Sequence, residues 1–172
     1  MEFKEKTLEK NYLYKGKILN FRKDTALLPN GSTAIREMVE HDGGSCVLCI
    51  QDGKVLLVKQ FRYPHGKEIW EIPAGKVNKG ETPEQTAIRE LEEECGIQAE
   101  KMEKLFEVYP TTAYTNEVIY IYRATGLKKV KAHLDEDEFL TAQWIDIEQV
   151  KLMMDNGEIK DGKTLIALLK AL

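Results

Sequence analysis

The stretch Gly75–Ile97, GKVNKGETPEQTAIRELEEECGI, contains the clearest structural signals in the chain. Thr82 is a favourable N-cap, the proline that follows it suits the first helical position, and Gln85 completes a capping box. Gly96 is of the residue type that most often ends a helix, because glycine readily adopts a left-handed conformation. The sequence therefore predicts a glycine-containing loop that leads into a helix over residues 83–95.

This predicted helix has a short apolar side and an acidic side. Four residues at helical spacing form the apolar side: Ala87, Ile88, Leu91 and Cys95. Glu90, Glu93 and Glu94 lie beside them, since positions three and four apart are neighbours on a helix surface, and like charges there destabilise a helix by a few tenths of a kcal/mol per pair. One interpretation is a solvated acidic face. The other is a site for a hard divalent cation such as Mg²⁺ or Mn²⁺, which prefers oxygen ligands.

The wider spacing of the stretch favours the cation site. Nine positions match the Nudix box, the glycine-loop-helix signature of a family of Mg²⁺-dependent hydrolases: Gly75, Glu81, Arg89, Glu90, Leu91, Glu93, Glu94, Gly96 and Ile97. At average residue usage, such a match arises by chance in a chain of this length with a probability below about 10⁻⁵. The chain therefore resembles this family, which implies hydrolysis of a pyrophosphate in a nucleoside diphosphate linked to another group.

Segments outside the box resemble the ADP-ribose pyrophosphatase branch of the family, over nearly the whole chain. They are Arg36-Glu37, Gln60-Phe61-Arg62, Glu71-Ile72-Pro73-Ala74-Gly75, the loop that contains Pro110 fourteen residues after Gly96 and ends in Asn116-Glu117, and the acidic run Asp135–Glu138. Together these segments imply that ADP-ribose is the substrate and that AMP and ribose 5-phosphate are the products. Another nucleotide sugar or nucleoside diphosphate derivative is the alternative, and a non-catalytic ADP-ribose sensor is a third, disfavoured because every box glutamate is present.

The resemblance also implies the metal ligands. Glu90 and Glu94 match the principal ligands, Glu93 matches a supporting residue of the catalytic set, and the backbone carbonyl of Ala74 matches the group that completes the coordination sphere. Mg²⁺ is the expected cofactor, with Mn²⁺ as an alternative. Such an ion would polarise phosphorus and acidify a bound water.

The same resemblance assigns substrate contacts and a base. Arg36 and Arg62 match positions that hold the pyrophosphate or its flanking groups, and a planar guanidinium suits phosphate oxygens; the alternative is that both are surface arginines at strand ends. Glu117 is a candidate contact to the terminal ribose. Glu136 matches the catalytic-loop glutamate that would act as base, with Glu138 second, although most acidic runs of this kind are solvated loops.

Hydrophobic patterning places these residues in an α+β fold, and the resemblance specifies a Nudix α/β/α sandwich with a mixed sheet and an N-terminal β-strand arm. Strands are predicted over residues 17–28, 33–41, 46–51, 54–61, 68–72, 103–109, 117–123 and 139–145, and helices over 83–95, 147–156 and 162–171. By resemblance, residues 1–40 form a strand arm that makes a homodimer, and residues 41–172 form the Nudix hydrolase domain.

Composition limits the partners. The 172 residues have a net charge of −4 and contain three cysteines. The charge disfavours nucleic-acid binding, the apolar runs are too short to span a bilayer, and the cysteines fit the cytoplasm. Several other residues are predicted to be structural: Cys46, Cys49, Trp70 and Trp144 as core, and His41, His65 and His133 as turn or surface residues. Tyr14 and Phe21 are loose candidates for stacking on adenine.

Overall fold

The computed structural model describes residues 3–134 and 138–172. The strands in these residues are β1 (Lys6–Glu9), β2 (Tyr12–Lys15), β3 (Leu19–Leu27), β4 (Thr33–His41), β5 (Gly44–Gln51), β6 (Lys54–Arg62), β7 (Lys67–Glu71), β8 (Ala74–Lys76), β9 (Ile97–Val108), β10 (Ile119–Lys129) and β11 (Leu140–Asp146). The helices are α1 (Pro83–Cys95), α2 (Ile147–Asp155) and α3 (Gly162–Ala171). Among the described residues, no helix combines the length and the apolar character that crossing a bilayer requires.

The N-terminal strands form a separate antiparallel sheet. β3 pairs with β4 from Leu19–His41 to Leu27–Thr33, as the alternating patterns and the intervening turn predict. β1 and β2 both pair with the other edge of β3. Hydrophobic patterning locates neither short strand, because all of their residues are exposed and the alternation of buried and exposed side chains is missing. The resemblance places both within the strand arm of residues 1–40.

The larger sheet has the order β11-β6-β5-β10-β9, with β7 beside β6 and β8 beside β5. β5 and β10 run parallel, whereas the neighbouring pairs are antiparallel, so the predicted mixed sheet is confirmed. The β5–β6 hairpin turns at Asp52-Gly53, as predicted. β9 and β10 both extend beyond the predicted strands, because neither residues 97–102 nor residues 124–129 alternate regularly between apolar and polar side chains.

Helices cover both faces of this sheet and give the predicted sandwich. Cys46 and Leu48 of β5 face a core that includes α2 and α3, whereas Val47 and Cys49 face a core that includes α1. This division follows from the alternation of side chains along a strand. Both cysteines are fully buried, as predicted, and they belong to different cores.

Candidate metal centre and substrate cavity

Helix α1 has the predicted ends. The Gln85 backbone N–H donates to Thr82 Oγ1 (3.2 Å), and the Thr82 backbone N–H donates to Gln85 Oε1 (2.8 Å), which completes the capping box. Gly96 ends the helix with φ 61°. An added Cβ at Gly96 would lie 2.7 Å from the carbonyl oxygen of Val130, so any side chain there would clash with the backbone. The capping box and Gly96 therefore set the first and last residues of α1.

The buried face of α1 differs from the predicted one. Ile88, assigned to the apolar side, is 40% exposed, whereas Glu90 and Glu94 are only 6% and 5% exposed. Ala87 and Leu91 do enter the core, as predicted. The prediction for Ile88 is wrong because the two carboxylates themselves occupy part of the buried face, which turns Ile88 outward. Two acidic side chains are thus held in the interior by the packing of the helix.

These two carboxylates form a cluster with a third. Carboxylate oxygens of Glu90, Glu94 and Glu138 all lie within 4.8 Å of one another. Burial and the neighbouring charge of Glu90 raise the pKa of Glu94 to about 8. Burial likewise raises the pKa of Glu90. Three hard oxygen donors in a partly desolvated space fit a hard divalent cation, which would offset their mutual repulsion.

The loop before α1 completes the surroundings of this cluster. The backbone N–H of Ala74 donates to Glu94 Oε2 (3.1 Å), and Ala74 is paired with Cys46 in the sheet. Gly75 allows Glu90 to approach the backbone, since a Cβ built at Gly75 would lie 1.7 Å from Glu90 Oε1. The first position of the box therefore requires glycine, because the Glu90 side chain fills the place of a Cβ there.

Arg89 binds the remaining glutamates of the box. Its Nε donates to Glu81 Oε1 (3.0 Å) and its Nη1 donates to Glu93 Oε2 (2.8 Å). Arg89 Nη1 also lies 2.7 Å from Glu90 Oε1. Glu81 Oε2 accepts a further hydrogen bond from Thr86 Oγ1 (2.9 Å). Glu81 is thus a structural partner of Arg89, and Glu93 lies at the edge of the carboxylate cluster through its bond to Arg89.

The network around Glu81 predicts a loss of stability in acid. Hydrogen bonding to Arg89 lowers the pKa of Glu81 from 4.5 to about 2. A carboxylate whose pKa is depressed on folding stabilises the protein above its unfolded-state pKa and loses that contribution as the pH falls through its folded-state pKa. We expect the free energy of unfolding of the wild type to fall by about 1–2 kcal/mol more than that of Glu81→Gln between about pH 5 and pH 2, after allowance for solvent screening.

Urea unfolding at each pH measures this difference. Glu84→Gln is the matched control, because it removes an exposed carboxylate three residues further along, in the first turn of α1. Identical pH dependence in the wild type and Glu81→Gln would show that the Arg89 contact does not stabilise the fold.

A cavity of about 200 Å³ adjoins the carboxylate cluster at Ala74 and Gly75. Its lining comprises His41, Gly44, Ser45, Arg62, Ala74, Gly75, Lys76, Glu117, Ile119 and Lys163. Arg62 and Glu117, predicted from the resemblance as substrate contacts, therefore lie in one cavity next to the predicted metal ligands. The structure brings the lining residues together from β4, β5, β6, β8, β10, α3 and the loop before β10.

His41 is a cavity residue that sequence reasoning missed. Predicted to be a turn or surface residue, it is half-buried at the end of β4, with Nδ1 3.5 Å from Glu117 Oε1. The backbone N–H of Gly43 donates to His41 Nδ1 (3.0 Å). The backbone N–H of His41 donates to Asn116 Oδ1 (2.9 Å), which ties β4 to the loop before β10. No local pattern distinguishes this histidine from the other two.

Glu71 and Lys163 form a second set of residues without an assigned role in the sequence. Glu71 is 3% exposed and accepts hydrogen bonds from Arg62 and from Lys163. Glu71 belongs to a segment that resembles the family, but the residue type alone indicates no partner. Lys163 lies 92 residues further along the chain, in α3. Only the packing of α3 against the sheet brings the two together.

Other predicted site residues lie elsewhere. Arg36 is exposed on β4, where its Nε and Nη2 donate to Glu5 (2.8 and 2.6 Å), outside the cavity lining. Glu136 lies outside the described residues, whereas Glu138 belongs to the carboxylate cluster. Tyr14 and Phe21 are paired across β2 and β3, away from the cavity lining. Trp70 and Trp144 pack against the two cores, as predicted.

A glycine loop, a capped helix with inward carboxylates and a mixed-sheet sandwich define a hydrolase fold of the Nudix class. Residues 39–168 match the NUDIX domain family. The chain therefore belongs to the Nudix family. Residues 5–39 match a second family, described as the nucleoside diphosphate sugar hydrolase N-terminal domain.

Individual relatives agree with this assignment over nearly the whole chain. The chain is 40% identical over 167 residues to an ADP-ribose pyrophosphatase of Bacillus subtilis (strain 168), covering 95% of this chain and 90% of the relative. It is also 40% identical over 169 residues to a methanol dehydrogenase activator of Bacillus methanolicus, covering 96% and 91%. A crystal structure of an ADP compounds hydrolase has a TM-score of 0.83 at 18% identity, covers 96% of this chain and 91% of its own, and confirms the fold.

Proposed function

We propose that this protein hydrolyses the pyrophosphate bond of ADP-ribose to AMP and ribose 5-phosphate, with Mg²⁺ as cofactor and Mn²⁺ as an alternative. The observation that carries the proposal is the cluster of Glu90, Glu94 and Glu138 beside a cavity lined by Arg62. The similarity of the chain to an ADP-ribose pyrophosphatase, over 95% of its length, supports the choice of substrate.

Glu90, Glu94 and Glu138, together with the backbone carbonyl of Ala74, are the residues that would hold the cation, with Glu93 in a supporting role. A bound divalent ion supplies charge neutralisation at the phosphates and acidifies a water molecule. Glu136 is the proposed base, and Glu138 is the second candidate. The position of Glu138 in the cluster favours Glu138 as a ligand and leaves proton transfer to Glu136.

The cavity residues account for substrate binding. Arg62 presents a planar guanidinium, which binds phosphate oxygens through two parallel hydrogen bonds. Glu117 is a carboxylate beside His41 in the same cavity, and a carboxylate accepts hydrogen bonds from sugar hydroxyls. We assign the pyrophosphate to Arg62 and the terminal ribose to Glu117.

Turnover of the purified protein with Mg²⁺ tests the proposed substrate. The comparison set is ADP-ribose, ADP-glucose, GDP-mannose, NADH, diadenosine polyphosphates and nucleoside triphosphates, with products identified by chromatography. Preferred cleavage of ADP-ribose to AMP is the expected result. Preference for another nucleotide sugar would support the second candidate function, which the match of residues 5–39 to a nucleoside diphosphate sugar hydrolase domain favours. Tight ADP-ribose binding without turnover would indicate a sensor.

We also propose that residues 1–40 form the interface of a homodimer in the cytoplasm and that residues 41–172 form the catalytic domain. The N-terminal sheet and the turn before β3 expose a set of large apolar side chains: Leu8, Leu13, Tyr14, Ile18 and Ile35. Arg36 lies on the same sheet, away from the cavity of its own protomer. A dimer that brings Arg36 to the partner's cavity would give this arginine its proposed role in binding substrate.

The mass in solution checks the proposed interface. We expect the wild type to sediment as a dimer and Leu13→Lys/Ile35→Glu to sediment as a monomer, because each substitution puts a charge into an apolar contact. Leu152→Lys is a control, since Leu152 is an exposed leucine on α2. A wild type that is monomeric at micromolar concentration would contradict the proposal.

A further inference from the structure

Lys163 is mostly buried and is paired with two carboxylates, which is unusual for a lysine. It lies in the first turn of α3, its side chain is 12% exposed, and it lines the cavity. Its Nζ donates to Glu71 Oε2 and lies 2.9 Å from Asp161 Oδ2. A nearly buried ammonium group is thus paired with two carboxylates at the cavity wall.

Glu71 connects this lysine to Arg62. Both oxygens of Glu71 accept hydrogen bonds from Arg62, with Nη2 2.8 Å from Oε2. A guanidinium carries five N–H donors in a rigid plane. The pairing through Nε and Nη2 therefore fixes the plane of Arg62 and leaves both N–H groups of Nη1 and one of Nη2 for another partner. The orientation of these groups depends on where Glu71 is held.

The other partner of Lys163 is itself anchored. Asp161 caps α3 by accepting hydrogen bonds from the Thr164 backbone N–H (3.0 Å) and Oγ1 (2.6 Å). Thr164 Oγ1 in turn accepts a hydrogen bond from the backbone N–H of Ile72 (2.9 Å), next to Glu71 in the chain. The start of α3 and the strand that carries Glu71 are therefore joined by two routes, one through Thr164 and one through Lys163.

We infer that Lys163 is a positioning residue for substrate binding, which holds Glu71 in place so that Glu71 presents the guanidinium of Arg62 to the phosphates of the substrate. Lys163 offsets the charge of Glu71 inside the protein, and Asp161 offsets the charge of Lys163. Removal of Lys163 leaves a buried carboxylate with one cationic partner and loosens the geometry of Arg62. The inference rests on the proposed function, since it assigns the pyrophosphate to Arg62.

Steady-state kinetics of Lys163→Met test this role. Because Arg62 would contact the phosphates in the ground state as well as in the transition state, we expect KM for ADP-ribose to rise by about tenfold or more while kcat stays within about threefold. Lys170→Met is the matched control on the same helix, because Lys170 is exposed and lies away from the cavity. A residue that only stabilises α3 would leave KM unchanged in the folded fraction, and that result would overturn the inference.

A double-mutant cycle shows whether Lys163 acts through Glu71. Glu71→Gln removes the charge that Lys163 holds and is expected to raise KM by a similar factor. Lys163→Met in the Glu71→Gln background should then add less than about twofold, because coupled residues are not additive. Full additivity of the two effects on KM would contradict a pathway through Glu71.

Asp161→Asn keeps the test valid if Lys163→Met does not fold. Asparagine is as good an N-cap as aspartate, so α3 keeps its start while Lys163 loses one carboxylate partner. We expect a smaller rise in KM, of about two- to fivefold; an unchanged KM would count against the inference.

The wild type separates failure of the inference from failure of the proposed function. If the wild type cleaves a different nucleoside diphosphate derivative, KM for that compound is compared among the variants. If the wild type binds ADP-ribose without cleaving it, the proposed function fails, and the dissociation constant replaces KM in the comparison. If the wild type neither cleaves nor binds any of these compounds, the proposed function and the inference about Lys163 are both overturned.

Discussion

Glu94→Gln is expected to reduce metal-dependent turnover by about 10³-fold or more and to leave the fold intact. Glu94 contributes a buried carboxylate to the cluster with Glu90 and Glu138, and an amide is a much weaker ligand for a hard cation. Metal ions contribute several kcal/mol of transition-state stabilisation, and each 1.4 kcal/mol is a factor of ten in rate. The activity assay at saturating Mg²⁺ measures the effect directly.

The fold of this variant is expected to survive because the amide keeps the local hydrogen bond. The side-chain oxygen of glutamine can accept from the backbone N–H of Ala74, as Glu94 Oε2 does. Burial disfavours the charged form of Glu94, so a neutral side chain does not destabilise the metal-free protein. Urea unfolding in a chelator checks this point. Glu92→Gln is the control, since Glu92 lies on the same helix and accepts a hydrogen bond from Gln98. Full activity of Glu94→Gln would disprove the metal assignment.

Gly75→Ala is expected to lower metal-dependent turnover by about 10²-fold without removing any ligand. The new Cβ would lie 1.7 Å from Glu90 Oε1, so the carboxylate must leave its position in the cluster. Displacement of a positioning group by about 1 Å is enough for an effect of this size. The activity should recover in part as the concentration of Mg²⁺ or Mn²⁺ is raised, because the site is weakened and its other ligands remain.

Gly162→Ala provides the comparison for this substitution. Gly162 is the first residue of α3, and an added Cβ there meets no atom within 4 Å. Its turnover should match that of the wild type, and its stability should be equal or slightly higher, because alanine favours a helix. Activity of Gly75→Ala equal to that of Gly162→Ala would mean that Glu90 is not needed in the position observed.

Features set by neighbouring residues could be predicted from the sequence. The capping box at Thr82, the end at Gly96 and the β5–β6 hairpin all depend on interactions within a few residues, and the structure has each of them. The predicted ligands Glu90 and Glu94 could be placed together because helical spacing relates them. Local signals therefore identify the segment that carries the carboxylates.

Features that depend on long-range packing could not be predicted. The contact between Glu71 and Lys163 joins residues 92 positions apart, and a lysine in a helix carries no sign of its partner. The position of His41 beside Glu117 depends on the pairing of β4 with the loop before β10. Hydrophobicity alone predicts Ile88 on the buried side of α1, because it does not show that glutamates occupy part of that side.

The carboxylates of α1 and the residues of the cavity wall come from separate parts of the chain, and this separation affects how substrate selectivity can change. Glu90 and Glu94 come from one continuous helix with its own caps, whereas most of the cavity wall is assembled from β4, β5, β6, β10, α3 and the loop before β10. Substitutions in these elements leave the caps of α1, Gly75 and the carboxylates of α1 untouched. During evolution, the preferred nucleotide derivative can therefore change while the carboxylates of α1 stay the same.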